Sequence, residues 1–338
     1  MIKEALSKIV LREDLTSTEA REVMREIMLG QATPAQIGAF LTALRMKGET
    51  VDEIAGCARA MRESAIKVEP KSKALVDTCG TGGDGKGTFN ISTTVAFVAV
   101  GAGLAVAKHG NRSVSSKCGS ADLLQALGVN LELTPEQVAQ CIDEVGIGFL
   151  FAPKFHPAMK YALGPRQEIG LRTIFNILGP LSNPANARRQ LLGVYHSDLT
   201  ELMAEVLRTL GAEAAFIVHG ADGLDELSVT GPNKVSRLSN SSIETFYLDP
   251  EELGLPRARL SELAGGTIEH NVTISKALLK GEKGPKRDIV LLNTSAVLIA
   301  GGKAASFSEG LAAAAESIDS GKALRKLEQL VEFSRSFN

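Results

Sequence analysis

Residues 74–110 read ALVDTCGTGGDGKGTFNISTTVAFVAVGAGLAVAKHG, and this stretch decides the fold. The short apolar runs ALVDTC and GLAVA are typical of buried strands, and the long apolar run that starts at Ser92 predicts a helix between them. Further strand-like runs begin at Ala214 (AAFIVHG) and at Asp288 (DIVLLNTSAVLIAGG). Such alternation predicts an α/β fold with a mostly parallel sheet, which binds ligands at the carboxyl ends of its strands.

A glycine-rich loop, residues 80–90, joins the first predicted strand to the helix. It contains five glycines, and each loses more conformational freedom on folding than any other residue would. A bound ligand can offset that cost. Because glycines let several backbone N–H groups converge and the threonines add hydroxyl donors, the loop predicts an anion site.

Two known phosphate-binding patterns nearly fit this loop. Gly80 to Gly85 satisfies G-x-G-x-x-G, but no acid lies between Asp84 and Asp122 to bind the ribose of a dinucleotide. Gly80 to Lys86 also satisfies G-x-x-x-x-G-K, but Gly87 stands where a P-loop needs Ser or Thr. The mismatches argue against NAD and against a P-loop, and they favour a longer loop for a larger phosphate group.

A basic segment, residues 108–117, follows the second predicted strand with the sequence KHGNRSVSSK. Taken alone it could equally be a solvated surface loop. Because it lies one helix away from the glycine-rich loop, and each follows a strand, the pair predicts a phosphate site on adjacent strands.

An acidic loop, residues 221–228, follows the strand-like run at Ala214 and contains Asp222, Asp225 and Glu226. Adjacent acids in a loop are usually just solvated. Opposite a phosphate site, however, one or two carboxylates together with substrate oxygens commonly hold Mg²⁺. Both interpretations stay open from the residues alone, and a loop of this kind is expected to be polar and exposed.

Composition limits the function classes. The chain has 338 residues, 44% of them hydrophobic and 22% charged, which favours a soluble protein of two domains. A net charge of −2 and the absence of tryptophan argue against nucleic-acid and membrane binding. Four cysteines without C-x-x-C spacing indicate reduced thiols. No signal peptide or membrane-spanning run is visible, so we expect a cytoplasmic protein.

The first 66 residues predict helices with three capping boxes, at Thr16, Thr33 and Thr50. The polar stretch KVEPKSK, residues 67–73, predicts a linker into the second domain. Arg166 could be an ordinary surface cation, and His109 and His156 could be hydrogen-bonded histidines rather than ligands or bases. No Cys, His and Asp set at zinc spacing is present in the sequence.

Four segments together resemble the anthranilate phosphoribosyltransferase family of tryptophan biosynthesis: CGTGGDGKGTFNIST, KHGNRSVSSKCGSADLLQALG, FHPAMKYALGPRQEIGLRTIFNILGPLSNPA and GADGLDELS. The resemblance implies the fold of pyrimidine nucleoside phosphorylases, with a small helical domain over residues 1–70, against which the segment near 164–182 packs. The larger α/β domain over residues 71–338 would bind phosphoribosyl pyrophosphate (PRPP). A homodimer formed through the helical domains, and Mg²⁺ as cofactor, are also implied.

The resemblance also implies roles for individual residues. PRPP would contact Gly80, Gly83, Asp84, Thr88, Asn90, Ile91, Ser92, Thr93, Lys108, Asn111, Arg112, Ser113, Ser115, Ser116 and Ser120. Mg²⁺ would be held by Ser92, Asp225 and Glu226, and anthranilate by Gly80, Asn111 and Arg166. The predicted catalytic residues are Lys108, which stabilises the departing pyrophosphate, and His109, a general base.

The implied reaction transfers a ribosyl carbon from pyrophosphate to the weakly nucleophilic amine of anthranilate. Catalysis would come from charge stabilisation at the pyrophosphate and from alignment of the amine. A pyrimidine nucleoside phosphorylase is an alternative with the same fold, although the KHGNR and Arg166 segments match the transferases better. A non-enzymatic nucleic-acid-binding relative is the second alternative, and it should have a basic surface and an eroded glycine-rich loop.

Overall fold

The computed structural model describes residues 1–113 and 117–337. The α-helices of this part are α1 (Ile2–Ile9), α2 (Ser17–Met28), α3 (Pro34–Lys47), α4 (Val51–Ser64), α5 (Ile91–Gly101), α6 (Ser120–Leu127), α7 (Pro135–Val145), α8 (Ala152–Phe155), α9 (Lys160–Ile169), α10 (Phe175–Leu181), α11 (Leu199–Thr209), α12 (Ile268–Leu279), α13 (Pro285–Ala300), α14 (Phe307–Asp319) and α15 (Lys322–Arg335). Its strands are β1 (Leu75–Gly80), β2 (Ala105–Gly110), β3 (Ile147–Phe151), β4 (Arg189–Gly193), β5 (Ala214–Gly220), β6 (Asn233–Ser239) and β7 (Ser242–Leu248).

Helices α2, α3 and α4 begin at the three predicted capping boxes. Thr16, Thr33 and Thr50 each accept a hydrogen bond from the backbone N–H three residues later, and the Glu or Gln at that position bonds back to the cap. Each box satisfies two N–H groups that a helix start leaves unpaired. The helices then bury apolar side chains such as Met24 and Phe40 in a common core.

That core extends beyond the N-terminal helices. It also contains Ala162 of α9, Ile177 and Leu178 of α10, and Leu192 and Ile217 of strands β4 and β5. The segment of α9 and α10 therefore packs with the first helices, although more than 90 residues of chain separate them. A second hydrophobic core holds α5, α13, α15 and the side chains of β1 to β3.

The sheet has seven strands in the order β3-β2-β1-β4-β5-β6-β7. Strands β1 to β5 pair in parallel, and the β6–β7 hairpin adds two antiparallel strands at one edge. The chain runs from β1 outward to β2 and β3, and then returns to β4 on the other side of β1. The loops after β1, β2, β4 and β5 therefore all leave from the carboxyl ends of parallel strands. The strand order reverses there, and ligands of such sheets bind at this position.

The run that starts at Asp288 forms helix α13, so its prediction as a strand is wrong. The helix has 16 residues and Pro285 at its first turn, and it is buried nearly all round. A helix without a polar face has no 3.6-residue pattern, so it cannot be told from a buried strand by periodicity. The described helices include none long and apolar enough to cross a membrane, and the cysteines of this part form no disulfide.

Candidate active site

The glycine-rich loop has a backbone that only glycine adopts easily. Gly82 and Gly83 have φ angles of 70° and 74°, in the left-handed region. Gly80 meets a different requirement, since a side-chain carbon there would collide with the carboxylate of Asp225. The loop thus brings bare backbone close to other polar groups, as the anion-site prediction expects.

Contacts from two other segments hold this loop in place. The Thr81 N–H donates to the Gly193 carbonyl at 2.9 Å, and the Thr81 hydroxyl accepts from the Tyr195 N–H at 3.1 Å. The Arg172 guanidinium donates to the Gly83 carbonyl and lies 4.2 Å from the centroid of the Tyr195 ring. Arg172 therefore ties the segment before α10 to the loop.

Helix α5 begins directly after the loop. Asn90 is its N-cap, but the Asn90 side chain makes no capping hydrogen bond. The Ser92 N–H donates to the Glu226 carboxylate at 3.2 Å, while the buried Thr93 hydroxyl has no partner among the described groups. A helix start with no acid in its first turn attracts anions. Ile91 is 2% exposed, so its side chain offers almost no surface to a substrate.

Two further predicted PRPP residues, Asp84 and Thr88, already have partners within the protein. Asp84 accepts a hydrogen bond from the Lys86 N–H at 3.1 Å. Thr88 pairs with Ala264 in an isolated antiparallel bridge, which joins the glycine-rich loop to the stretch before α12. Both residues are half-buried.

The basic segment starts at the end of β2, beside the glycine-rich loop. The Ser120 hydroxyl donates to the Asn111 carbonyl at 3.2 Å. Asp122 accepts from the Ser113 N–H at 3.2 Å and from Arg112 at 2.8 Å. Because α6 thus supplies a carboxylate for Arg112, the structure directs that side chain toward the helix rather than toward an open anion site. The predictions at Ser115 and Ser116 lie outside the described residues.

Lys108 and His109 are neighbours on β2 whose side chains leave opposite faces of the sheet. The Lys108 ammonium donates to the Thr78 carbonyl at 2.6 Å and to the Ser92 hydroxyl at 3.3 Å. The His109 Nδ1 lies 3.2 Å from the Gly179 carbonyl of α10. The structure therefore does not bring the two predicted catalytic side chains together.

Lys108 is 2% exposed, and its ammonium contacts protein oxygens. Burial lowers its pKa, and the negative charges of Asp77 and Glu226 act in the opposite direction. The amine lies buried beneath the start of α5, where it donates to the Ser92 hydroxyl and orients it.

His109 packs against His156, with 5.1 Å between the ring centroids. Burial is the main cause that lowers the pKa of His109 to about 3 and that of His156 to about 4. Both rings are therefore neutral near pH 7, and the Nε2 atoms of both have no hydrogen-bond partner among the described groups. At this site His109 is a much weaker base than an ordinary histidine.

The acidic loop returns from β5 to the glycine-rich loop. Asp225 accepts a hydrogen bond from the Gly82 N–H at 2.6 Å. Burial and then the negative charge of Asp84 raise the pKa of Asp225 to about 7, while burial and then Asp225 raise the pKa of Glu226 well above its usual range. Both acids are half-buried, so the expectation of an exposed loop is wrong for them. Asp222 instead accepts from hydroxyls within its own loop region.

These acids fit a divalent cation by their chemistry. The negative charge of Asp84 disfavours the charged form of Asp225, and both disfavour that of Glu226, so a hard cation would offset the repulsion. In the part of the chain that the structure describes, no three His, Cys, Asp or Glu side chains form a ready ligand cluster. The arrangement therefore suits Mg²⁺, which takes one or two carboxylates and completes its shell with substrate oxygens and water.

Arg166 lies on α9 with its guanidinium carbon 5.0 Å from the centroid of the Phe175 ring. The side chain is partly buried, which lowers its pKa. Within the described ranges no carboxylate pairs with it. A planar guanidinium held over an aromatic ring, without an acidic partner, is suited to a carboxylate ligand.

Comparison with known proteins gives the family. The helical bundle domain of the glycosyl transferase family matches residues 3–65, and the α/β domain of that family matches residues 72–324. Over 337 residues the chain is 58% identical to the anthranilate phosphoribosyltransferase of Moorella thermoacetica, with 100% of this chain and 99% of the relative covered. The chain belongs to the anthranilate phosphoribosyltransferase family.

Solved anthranilate phosphoribosyltransferases share the fold. The enzyme of Thermus thermophilus matches with a TM-score of 0.94 and 49% identity over 98% of this chain and 99% of that chain. The enzyme of Saccharomyces cerevisiae in complex with PRPP and Mg matches with a TM-score of 0.90 and 32% identity. The match covers 99% of this chain and 98% of that chain. The yeast enzyme is also known in complex with 4-fluoroanthranilate. The α/β fold and the family predicted from the four segments are confirmed.

Several residues that hold the candidate site together were not assigned from the sequence. Besides Arg172, they include Asp77, which accepts from the His109 N–H at 3.2 Å, and Asn183, which donates to Asp77 at 2.8 Å. For Asp77 the sequence did offer a signal, because it is an acid inside the otherwise apolar run ALVDTC. Asn183 offered none, since it reaches Asp77 across 106 residues of chain.

Proposed function

We propose that the chain transfers the phosphoribosyl group of PRPP to the amine of anthranilate, giving N-(5-phosphoribosyl)anthranilate and pyrophosphate in tryptophan biosynthesis. Membership of the family is the first support. The structural observation that supports the proposal is that the segment of residues 166–179 connects Arg166 to the anion cradle, which is formed by the glycine-rich loop and the start of α5. The Arg166 guanidinium pairs with no carboxylate of the described residues. The segment contacts the glycine-rich loop through Arg172 and β2 through Gly179.

In this reaction the bond between the ribosyl carbon and a pyrophosphate oxygen breaks, and a bond to the anthranilate nitrogen forms. We propose that the N–H groups of the glycine-rich loop and of the start of α5 stabilise the charge that develops on the leaving pyrophosphate. Lys108 contributes its buried positive charge and holds the Ser92 hydroxyl in position.

Ser92, Asp225 and Glu226 are the proposed Mg²⁺ ligands. The cation would neutralise pyrophosphate charge when bound. The chain's own contribution is to place the Glu226 carboxylate on the Ser92 N–H and the Asp225 carboxylate on the Gly82 N–H, at the mouth of the cradle.

The acceptor side is proposed to lie between Arg166 and the two loop ends at Gly80 and Asn111. Two parallel N–H bonds from Arg166 would hold the anthranilate carboxylate and aim the neighbouring amine at the ribosyl carbon. His109 faces the same α10 side as a neutral imidazole. With a pKa of about 3 it can take a proton only from a strongly acidic donor, such as the amine once its bond to carbon has formed.

We also propose a division into residues 1–70 and 71–338, with the segment 164–182 attached to the first part and homodimerisation through the helices. Apolar side chains exposed on this part support the interface, among them Leu11 at 71% and Met46 at 76% exposure. A cytoplasmic location is proposed from the biosynthetic role.

Anthranilate fluorescence provides the test. The purified chain should consume anthranilate only when PRPP and Mg²⁺ are both present. Omission of either component is the control. Turnover of a pyrimidine nucleoside with inorganic phosphate, without anthranilate consumption, would contradict the proposal and indicate a phosphorylase.

A further inference from the structure

Helix α12 places one buried amide behind the proposed PRPP site. Asn271, which is 2% exposed, donates from Nδ2 to the Asn90 Oδ1 at 3.1 Å and accepts on Oδ1 from the Gly266 N–H at 2.9 Å. Asn90 in turn donates from Nδ2 to the Cys118 carbonyl at 3.0 Å. Two side-chain amides thus form one chain of hydrogen bonds between two backbone groups.

The backbone groups at the ends set the direction of that chain. The Gly266 N–H can only donate, and the Cys118 carbonyl can only accept. Each amide between them must therefore present its oxygen toward Gly266 and its nitrogen toward Cys118. Asparagine at both positions satisfies this requirement, and reversal of either amide would set two donors or two acceptors against each other.

The chain of hydrogen bonds joins segments that surround the proposed cradle. Asn90 ends the glycine-rich loop and precedes α5, and Cys118 directly follows the basic segment. The stretch before α12 also contacts the glycine-rich loop, since the Gly265 N–H donates to the Gly87 carbonyl at 2.9 Å. A side-chain carbon at Gly265 would lie 2.7 Å from the Phe89 backbone, so the two stretches pack without space between them.

We propose that Asn271 is a positioning residue for PRPP, which holds the Asn90 amide in one orientation and thereby fixes the end of the glycine-rich loop relative to Cys118. This inference rests on the proposed function, because it concerns the same PRPP site. Asn271 lies behind Asn90 and is buried, so it acts through Asn90 and not by touching the substrate.

Two substitutions separate the hydrogen bond to Asn90 from other effects. Asn271→Leu is neutral and of similar shape, and it removes the hydrogen bonds to Asn90 and to the Gly266 N–H together with the contact to the Cys118 thiol. Asn271→Asp keeps the acceptor for the Gly266 N–H but replaces the donor to Asn90. Both variants lose the Nδ2 donor, which serves the Asn90 Oδ1 and also the Cys118 thiol. Both should therefore raise the dissociation constant of PRPP with Mg²⁺ about tenfold, as expected for a lost hydrogen bond. Cys118→Ala removes the thiol contact alone and should leave PRPP binding unchanged.

The matched control is Ser275→Ala on the same helix. Ser275 is equally buried and lies one turn later, and its hydroxyl is 3.3 Å from the Thr94 hydroxyl on α5 rather than from Asn90. This control should leave PRPP binding unchanged. Calorimetry measures PRPP binding, steady-state kinetics gives the Michaelis constants of both substrates, and thermal melts report folding.

The proposal is supported if both Asn271 variants raise the PRPP constants while the anthranilate constant moves little and Ser275→Ala behaves like the wild type. An effect of Asn271→Asp alone would indicate added negative charge, and an effect of Asn271→Leu alone would indicate the turn at Gly266. Either of these results would overturn the proposal. It would also be overturned by equal changes in the Michaelis constants of both substrates, or by unchanged PRPP constants. If the wild-type chain fails to consume anthranilate at all, the proposed function fails instead.

Discussion

Lys108 and His109 follow each other on β2, yet their surroundings differ completely. Lys108 lies on the α5 face among the Ser92 hydroxyl, the Thr78 carbonyl and the charge of Glu226. His109 lies on the α10 face against a backbone carbonyl and a second neutral imidazole, His156.

The difference shows how one strand can separate two kinds of chemistry. The period of two residues in a strand sends adjacent side chains to opposite faces. The α5 face carries the charges suited to a pyrophosphate and a cation, whereas the other face presents two neutral imidazoles beside α10, the helix whose Phe175 ring lies against Arg166. We expect substitutions on the first face to change PRPP use and those on the second to change anthranilate use.

The largest effect is expected from Asp225→Ala and Glu226→Ala on the charged face. Each removes a proposed cation ligand, so kcat/KM should fall at least about 100-fold at ordinary Mg²⁺ concentrations. Folding should survive, because burial already disfavours both carboxylates in their charged form. The control is Asp198→Ala, whose side chain is 83% exposed. Full activity of both variants would remove these acids from the cation site.

Arg166→Ala tests the α10 face. A hydrogen bond to a charged group contributes about 1.5 to 3 kcal/mol, so the Michaelis constant of anthranilate should rise by about one to two powers of ten, with little change for PRPP. Arg166→Lys should recover only part of the loss, because an ammonium lacks the planar fork. The exposed Arg208→Ala serves as the control. A change confined to the PRPP constant would place Arg166 on the charged side instead.

Gly83→Val should weaken PRPP binding by about tenfold and anthranilate binding less, because a branched side chain disfavours the left-handed backbone of the loop. Gly211→Val is the matched control. Gly211 also has a positive φ, 80°, with open space around it, and it lies before β5 at the opposite edge of the sheet. Calorimetry that shows equal PRPP affinity for both variants would contradict a role for the loop.

The smallest effect concerns pH. The folded protein holds the pKa of His109 at about 3, below the ordinary value of 6.5, so the unfolded chain binds a proton first as pH falls. His109 therefore lowers stability progressively from about pH 6.5 to about pH 3. Between about pH 7 and about pH 4.5, the melting temperature of His109→Asn should fall less than that of the wild type. An equal fall would show that His109 is not neutral in the folded state.

Local patterns made much of the molecule predictable from sequence. The capping boxes at Thr16, Thr33 and Thr50, strands β1, β2 and β5, and the glycine-rich loop depend on residues close together in the chain. Helix α13 was missed because a fully buried helix has no polar face to reveal its period. The order of the motifs was specific enough to give the family.

The rest of the site depends on contacts between distant parts of the chain. Asn271 meets Asn90 across 181 residues, and Arg172 meets Gly83 across 89. The burial of Asp225 and the pairing of Arg112 with Asp122 likewise follow from packing that no local pattern encodes. The sequence could therefore indicate which residue types are suited to phosphate, but not which of these side chains already have hydrogen-bond or ion-pair partners within the fold.

At the proposed PRPP site, the hydrogen bond from the Gly82 N–H to Asp225 would make the arrival of PRPP an exchange. The chain's own carboxylate already occupies a donor of the cradle, so a phosphate oxygen that takes this N–H must displace it, and the net gain is the difference between two anions. In return, the loop is ordered before the substrate arrives. Much of the entropy that its glycines lose is then spent on folding and not subtracted from binding.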